Sequence, residues 1–126
     1  MSTAILTFEA ADARWGVPLD DADEIVSVSQ VVHLPLAPDA VAGMIAVHGS
    51  PVGAVDFARL TGVESRSGSS AIVLNGREAA LLVDTLCHIV VVDALLPSGD
   101  DEFSWVDGRA GGAHVINTAR VLEAIA

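Results

Sequence analysis

The chain of 126 residues is long enough for one domain with a sizeable core, and its single cysteine, Cys87, excludes an internal disulfide. Six basic and seventeen acidic residues give a formal net charge of −11, which argues against nucleic acid or an anionic lipid surface as the partner. No apolar run reaches the roughly 20 residues of a membrane span, and residues 3–8 lack the basic flank of a signal peptide, so we expect a cytoplasmic protein without direct membrane insertion.

The composition favours short strands, because 52% of the residues are hydrophobic, mostly Ala and Val, and only 4% are aromatic. In the first half of the chain, β-branched and alternating apolar residues predict strands at 5–8, 14–19, 24–28, 42–47 and 52–56. The last two should form a hairpin around a Gly49-Ser50-Pro51 turn. Asp56 is placed to cap a short helical segment at 57–60.

The second half begins after a Ser/Gly-rich segment at 64–70, which reads as a linker. Strands are predicted at 71–74, 79–83, 89–92, 103–106 and 113–116. Asn75-Gly76 is a dipeptide typical of two-residue type I′ turns, and Asp107-Gly108 predicts a further turn. A capped C-terminal helix should follow Asn117.

The two halves repeat one another. Residues 17–20 and 25–28 match 81–84 and 89–92 at a constant spacing of 64 residues, and residues 55–60 match 116–121 at a spacing of 61. Five short strands can close into a small barrel filled by alternate side chains. The predicted fold is therefore all-β with short helical turns: a single domain of two small five-stranded barrels side by side, at approximately 4–64 and 70–125. An exchange of strands between the halves is left open.

No catalytic or metal centre is predicted. The four histidines show no spacing typical of a zinc site, and no Ser or Cys is tied by pattern to a His and an Asp. No Gly-rich segment has the Lys and the strand-to-helix setting of a phosphate-binding loop. We therefore expect no cofactor and no enzymatic activity. His48, at the tip of the central hairpin, is a candidate functional residue; the alternative is a solvated turn residue.

An ordered set of short motifs spans the chain: Pro18-Leu19, Glu24-Ile25, Leu34-Pro35, Gly43-Met44-Ile45, Gly49, Val55-Asp56-Phe57, Leu60, Gly62 and Leu81-Leu82-Val83-Asp84. Through the order of these motifs, the chain resembles the CheW-like adaptor domain of bacterial chemosensory systems over roughly residues 4–125. The resemblance implies two SH3-like barrels and a non-enzymatic protein that couples chemoreceptors to a histidine kinase.

The resemblance also implies the partners and their contact positions. The partners are the regulatory domain of a CheA-type histidine kinase and the cytoplasmic hairpin tip of a chemoreceptor, which would bring the protein to membrane-associated receptor arrays. The implied contact positions are Ala22, Glu24, Gly43, Ala46, Val47, His48, Leu86 and Ile89. The alternatives are a solvated edge charge for Glu24 and a place in the core for Leu86 and Ile89.

The chain departs from the family pattern at the hairpin tip, where Ala46 and His48 replace the usual Asn and Arg. A fixed positive charge with five donors thus becomes an imidazole, a group largely neutral near pH 7. Hydrogen bonds to charged groups contribute about 1.5–3 kcal/mol, so this change could weaken or redirect a partner. One alternative function is therefore a diverged regulator of a non-chemotaxis kinase, or a competitor of the standard adaptor. A small-ligand sensor that uses a groove is the least expected.

Overall fold

The structure is a computed structural model that describes residues 2–63, 69–76, 79–97 and 103–125. This part of the chain contains ten strands and two α-helices. The strands are β1 (Thr3–Ala10), β2 (Ala13–Pro18), β3 (Ala22–Ser27), β4 (Val41–Val47), β5 (Ser50–Asp56), β6 (Ser70–Leu74), β7 (Ala79–Val83), β8 (Thr85–Val92), β9 (Val106–Ala110) and β10 (Ala113–Ile116). The helices are α1 (Phe57–Leu60) and α2 (Thr118–Ile125).

The strands form two five-stranded sheets, which confirms the all-β prediction with five strands in each unit. The first sheet has the order β8-β1-β2-β10-β9, and the second has the order β3-β6-β7-β5-β4. Both sheets curl toward a barrel. In each sheet, the segment that follows one edge strand forms a single β-bridge with the strand at the opposite edge. Val32 bridges to Met44 in the second sheet and Leu96 to Arg109 in the first. Among the described residues no continuous ladder joins the two edges of either sheet.

The two sheets do not coincide with the two sequence halves at 4–64 and 70–125. The first sheet combines the β1-β2 hairpin with β8, β9 and β10, and the second combines the β6-β7 hairpin with β3, β4 and β5. Parallel pairing of β2 with β10 and of β5 with β7 joins each hairpin to the other half. The halves have therefore exchanged their first hairpins. The predicted linker at 64–70 lies mostly outside the described residues.

Equivalent side chains cap the two helices, as the sequence repeat predicts. The Asp56 carboxylate accepts hydrogen bonds from the backbone N–H groups of Ala58, at 3.1 Å, and Arg59, at 3.4 Å. The Asn117 side-chain oxygen accepts one from the N–H of Arg120 at 3.1 Å. Both residues bind N–H groups that a first helical turn leaves without a partner. The predicted caps are confirmed.

The largest core cluster lies between the sheets, and its centre is aromatic. Phe57 contacts the rings of Phe8, Trp15 and Trp105 at centroid distances of 5.2, 5.0 and 5.6 Å. The Trp15 indole N–H donates to the carbonyl oxygen of Ala10 at 2.9 Å, so its polar atom is satisfied in the core. Two smaller apolar clusters each pack against strands of a single sheet. Each sheet therefore buries side chains on both of its faces.

Two of the predicted turns lie elsewhere. The β4-β5 turn is His48-Gly49, with φ of 50° and 81°, so Ser50 and Pro51 belong to β5. The predicted Asp107-Gly108 turn lies inside β9, and the chain reverses at residues 111–112 instead, where both glycines adopt positive φ without strain. Asn75-Gly76, by contrast, lies in a turn directly after β6, as predicted.

Candidate functional site

The structure brings together two residues that the sequence analysis singled out separately. The His48 Nε2 atom lies 2.8 Å from the Glu24 Oε2 atom. Glu24 belongs to β3 and His48 to the β4-β5 turn, at opposite edges of the second sheet. Because that sheet curls on itself, its two edges approach each other. The His48 side chain is 69% exposed and that of Glu24 is 26% exposed, so a partner can reach both.

The hairpin tip divides its residues between the surface and the core. Ala46 and His48 are exposed, whereas the Val47 side chain is 1% exposed and belongs to the core of the second sheet. Successive residues of a strand point to opposite faces, which explains this separation. In this structure Val47 therefore does not present its side chain to a partner, and of the predicted tip residues Ala46 and His48 form the exposed surface.

Gly43 is buried and lies close to the backbone of another segment. A Cβ atom at this position would lie 2.0 Å from the carbonyl oxygen of Val32, and φ is +152°. Glycine lets the chain at Val32 pass against β4, where the backbone N–H and C=O groups of Val32 and Met44 form two hydrogen bonds of 2.8 Å. The geometry gives Gly43 a structural role. Gly43 is buried, so it is not part of the exposed contact surface that the family resemblance implies.

The remaining predicted contact residues differ in exposure. Ala22 and Leu86 are half-buried and pack against the core between the sheets. Ile89 is 52% exposed on the edge strand β8. Ile25, its counterpart in the sequence repeat, is 46% exposed on the edge strand β3. Ile25 was not among the predicted contact residues, although its spacing of 64 residues from Ile89 in the repeat is the signal that could have found it.

A cleft that the sequence did not predict lies beside the hairpin tip, between the end of β3 and the edge of β4. It encloses about 360 Å³. Its lining is mostly apolar and consists of Val26, Ser27, Val28, Ser29, Gln30, Val32, Met44, Ile45, Ala46, Gly49 and Pro51. We call this feature the β3-β4 cleft. Its walls are the two edge strands of the second sheet, which strand prediction alone does not place next to each other.

The described residues contain neither a candidate metal centre nor a candidate membrane-spanning helix. Over residues 2–63, 69–76, 79–97 and 103–125, no three His, Cys, Asp or Glu side chains form a group that could hold a metal ion. In the same ranges, no helix combines the length and the apolar character needed to cross a membrane.

Comparison with known proteins places the chain in a family. No curated protein matches the sequence. Among solved structures, the chain is similar to the crystal structure of the scaffolding protein TtCheW from Thermoanaerobacter tengcongensis, with a TM-score of 0.77, 21% sequence identity, and coverage of 92% of this chain and 88% of that chain. At this identity the match shows a shared fold. The family model of the CheW-like domain matches residues 4–117. The chain therefore belongs to the CheW-like domain family.

Proposed function

We propose that this protein is a non-enzymatic adaptor of bacterial chemosensory signalling, which couples the cytoplasmic hairpin tip of chemoreceptors to the regulatory domain of a CheA-type histidine kinase. The family match over residues 4–117 supports the adaptor role. A cytoplasmic protein of this kind would reach membrane-associated receptor arrays through its partners. The high negative charge of −11 favours a partner surface that is basic or apolar.

One observation identifies the residues of the proposed binding surface. Glu24, Ala46 and His48 all match contact positions implied by the family resemblance, and they lie on one surface although they come from different strands. The direct contact of 2.8 Å between Glu24 and His48 joins the two parts of this surface. We call these three residues the hairpin-tip surface and propose that it binds the kinase domain or its neighbours in the array.

The exposed isoleucines support a second, apolar contact region. Ile25 and Ile89 lie on the edge strands of the two sheets at equivalent positions of the repeat, and each is about half exposed. Because about half of each side chain is already buried, covering the rest against a partner contributes on the order of 1 kcal/mol, which is enough to matter in a transient complex. We propose that Ile89, with the half-buried Leu86 beside it, contacts the receptor.

Calorimetric titration of the purified protein with the regulatory domain of a CheA-type kinase from the same organism tests the kinase-binding role. Glu24→Lys should weaken binding at least several-fold, because it reverses the charge within the hairpin-tip surface. Glu123→Lys makes the same charge change on the exposed side of α2 and is the matched control, with unchanged affinity expected. Equal affinity of both variants and the parent would refute the assigned surface.

A second candidate function follows from Ala46 and His48, which stand where the family usually has Asn and Arg. A diverged regulator of another kinase, or a competitor of the standard adaptor, would no longer need the lost guanidinium. His48→Arg distinguishes the two functions. A gain in binding to receptor arrays supports the chemosensory adaptor, and no gain supports the diverged regulator.

A further inference from the structure

The backbone of β4 presents unused hydrogen-bonding groups to the β3-β4 cleft. Met44 forms both of its backbone hydrogen bonds on this edge with Val32, each at 2.8 Å. Backbone groups of a strand point alternately to its two sides, so the N–H and C=O of Ala46 point to the same side as those of Met44, away from β5. The partner of Ala46 on β5 is Pro51, which has no N–H to offer at this position.

The same alternation orients the backbone of β3. The N–H of Val28 donates to the carbonyl oxygen of Ser69 at 3.0 Å, so Val28 faces the strand that continues into β6. Ser27 precedes it and pairs with Ser70 in the same antiparallel register. The N–H and C=O of Ser27 therefore point away from β6, toward the side of β3 that β4 faces.

The cleft thus has two polar edges and an apolar lining. Ser27 and Ala46 both line the cavity of about 360 Å³. Within the part of the chain that the structure describes, no strand pairing or other backbone bond occupies this side of either residue. The small residues Ala46 and Gly49 leave room for another backbone to approach, and Val26, Val28 and Met44 supply apolar contacts.

We propose that the β3-β4 cleft binds an extended segment of a partner protein, which adds to the open edge of the second sheet as a further strand. An extended backbone offers N–H and C=O groups that point alternately to its two sides, so it can pair with a strand edge. The backbone groups of a helix are already hydrogen-bonded within the helix and cannot pair in this way. The apolar lining selects short apolar side chains. The carboxylate of Glu24, at the adjoining hairpin-tip surface, and the net charge of −11 favour a Lys or Arg at one end of the segment.

This inference does not depend on the proposed kinase or receptor partners. The titration of the kinase domain with Glu24→Lys tests the hairpin-tip surface, whereas peptide binding in the cleft tests the strand edges. Either proposal can fail while the other holds.

The test is a titration of the ¹⁵N-labelled protein, followed by NMR, with a synthetic peptide of the sequence Lys-Val-Thr-Val-Thr-Val with blocked ends. Strand addition predicts that the amide signals of Ser27 and Ala46 shift on binding. Two analogues carry N-methyl groups, one on the odd-numbered and the other on the even-numbered residues. Each analogue therefore lacks the N–H donors on one side of the peptide but keeps all of its side chains. At least one analogue should bind ten-fold more weakly or worse.

Several results would overturn the proposal: no binding of the peptide at millimolar concentration, shifts confined to the first sheet, or equal binding of the peptide and both analogues. The last result would indicate side-chain contacts without strand pairing. Ser27→Pro removes the donor that faces the cleft without removing a bond to β6, and it should weaken peptide binding at least ten-fold. If this variant fails to fold, the N-methyl analogues decide the question with the unaltered protein.

Discussion

At the scale of single residues, the contact between Glu24 and His48 contributes to a surface more than to stability. The His48 side chain is 69% exposed, and even an ion pair at such an exposed position typically contributes only about 0.2–1 kcal/mol. Replacing either residue should therefore leave the protein folded. Variants at these positions are suitable for binding experiments for that reason.

Gly43 has a structural role that a single substitution tests. Gly43→Ala should lower the free energy of unfolding by at least about 2 kcal/mol, because the added Cβ would overlap the Val32 carbonyl oxygen and the backbone would be strained. Gly49→Ala is the matched control. Its φ is +81° but no atom lies within 4 Å of the added Cβ, so backbone strain of about 1 kcal/mol is its expected cost. Urea denaturation measures both variants, and equal costs would contradict the close approach of Val32.

Leu36 combines a strained backbone with complete exposure. Its φ is 63°, and its relative exposure is 104%. A left-handed conformation costs an ordinary residue about 1–2 kcal/mol, and asparagine tolerates it better. Leu36→Asn should therefore raise the free energy of unfolding by about 0.5–1 kcal/mol in urea denaturation. Leu34→Asn, at a position without positive φ, should give no such gain. A loss of stability in Leu36→Asn would contradict the assigned backbone conformation.

At the scale of elements, the cap of α1 connects the second sheet to its short helix. The Asp56 side chain is 7% exposed and accepts two backbone hydrogen bonds. Asp56→Ala should cost about 1–2 kcal/mol of stability, because it leaves two N–H groups without a partner near the core. Asp56→Asn keeps an acceptor and should cost less. Thermal denaturation compares the two, and an equal loss would indicate that the charge matters more than the cap.

Most elements were predictable because the signals that specify them are local. β-branched runs marked the strands, and Asp56 and Asn117 marked the helix starts. β9 was misplaced because Asp107-Gly108 resembles a turn, although Val106, Gly108 and Ala110 are buried in alternation. Gly108 is present for a different reason: a Cβ there would lie 2.6 Å from the Leu96 carbonyl oxygen. The sequence does not reveal that the backbone at Leu96 passes close to Gly108. The glycine was therefore interpreted as part of a turn.

The candidate site was predictable in its parts but not in its geometry. Glu24 and His48 were both selected through the family resemblance. Their contact across 24 positions of the chain depends on the curling of the second sheet, which no local pattern encodes. The burial of Val47 follows from strand alternation within the predicted strand 42–47, where Val47 lies on the same face as Ile45. The family resemblance alone selected Val47 as a contact residue, without regard to this alternation.

At the scale of the whole molecule, the exchanged hairpins make the two sequence halves dependent on each other. Each sheet lacks two or three of its five strands if one half is removed. Fragments 1–66 and 67–126 should therefore be unfolded separately and should regain strand structure when mixed, because each completes the sheets of the other. Circular dichroism of the separate and mixed fragments measures this. A cooperative thermal transition in either fragment alone would contradict the exchange.

The proposed adaptor function depends most directly on the proposed binding of the kinase regulatory domain at the hairpin-tip surface. The most direct measurement is the NMR spectrum of the ¹⁵N-labelled protein during titration with that unlabelled domain. Binding at the hairpin-tip surface should shift the amide signals of Glu24, Ala46 and His48, while those of Glu123 and its neighbours on α2 stay in place. Shifts centred on α2 or β9 with the tip unchanged, or no shift at all with the protein folded, would contradict it.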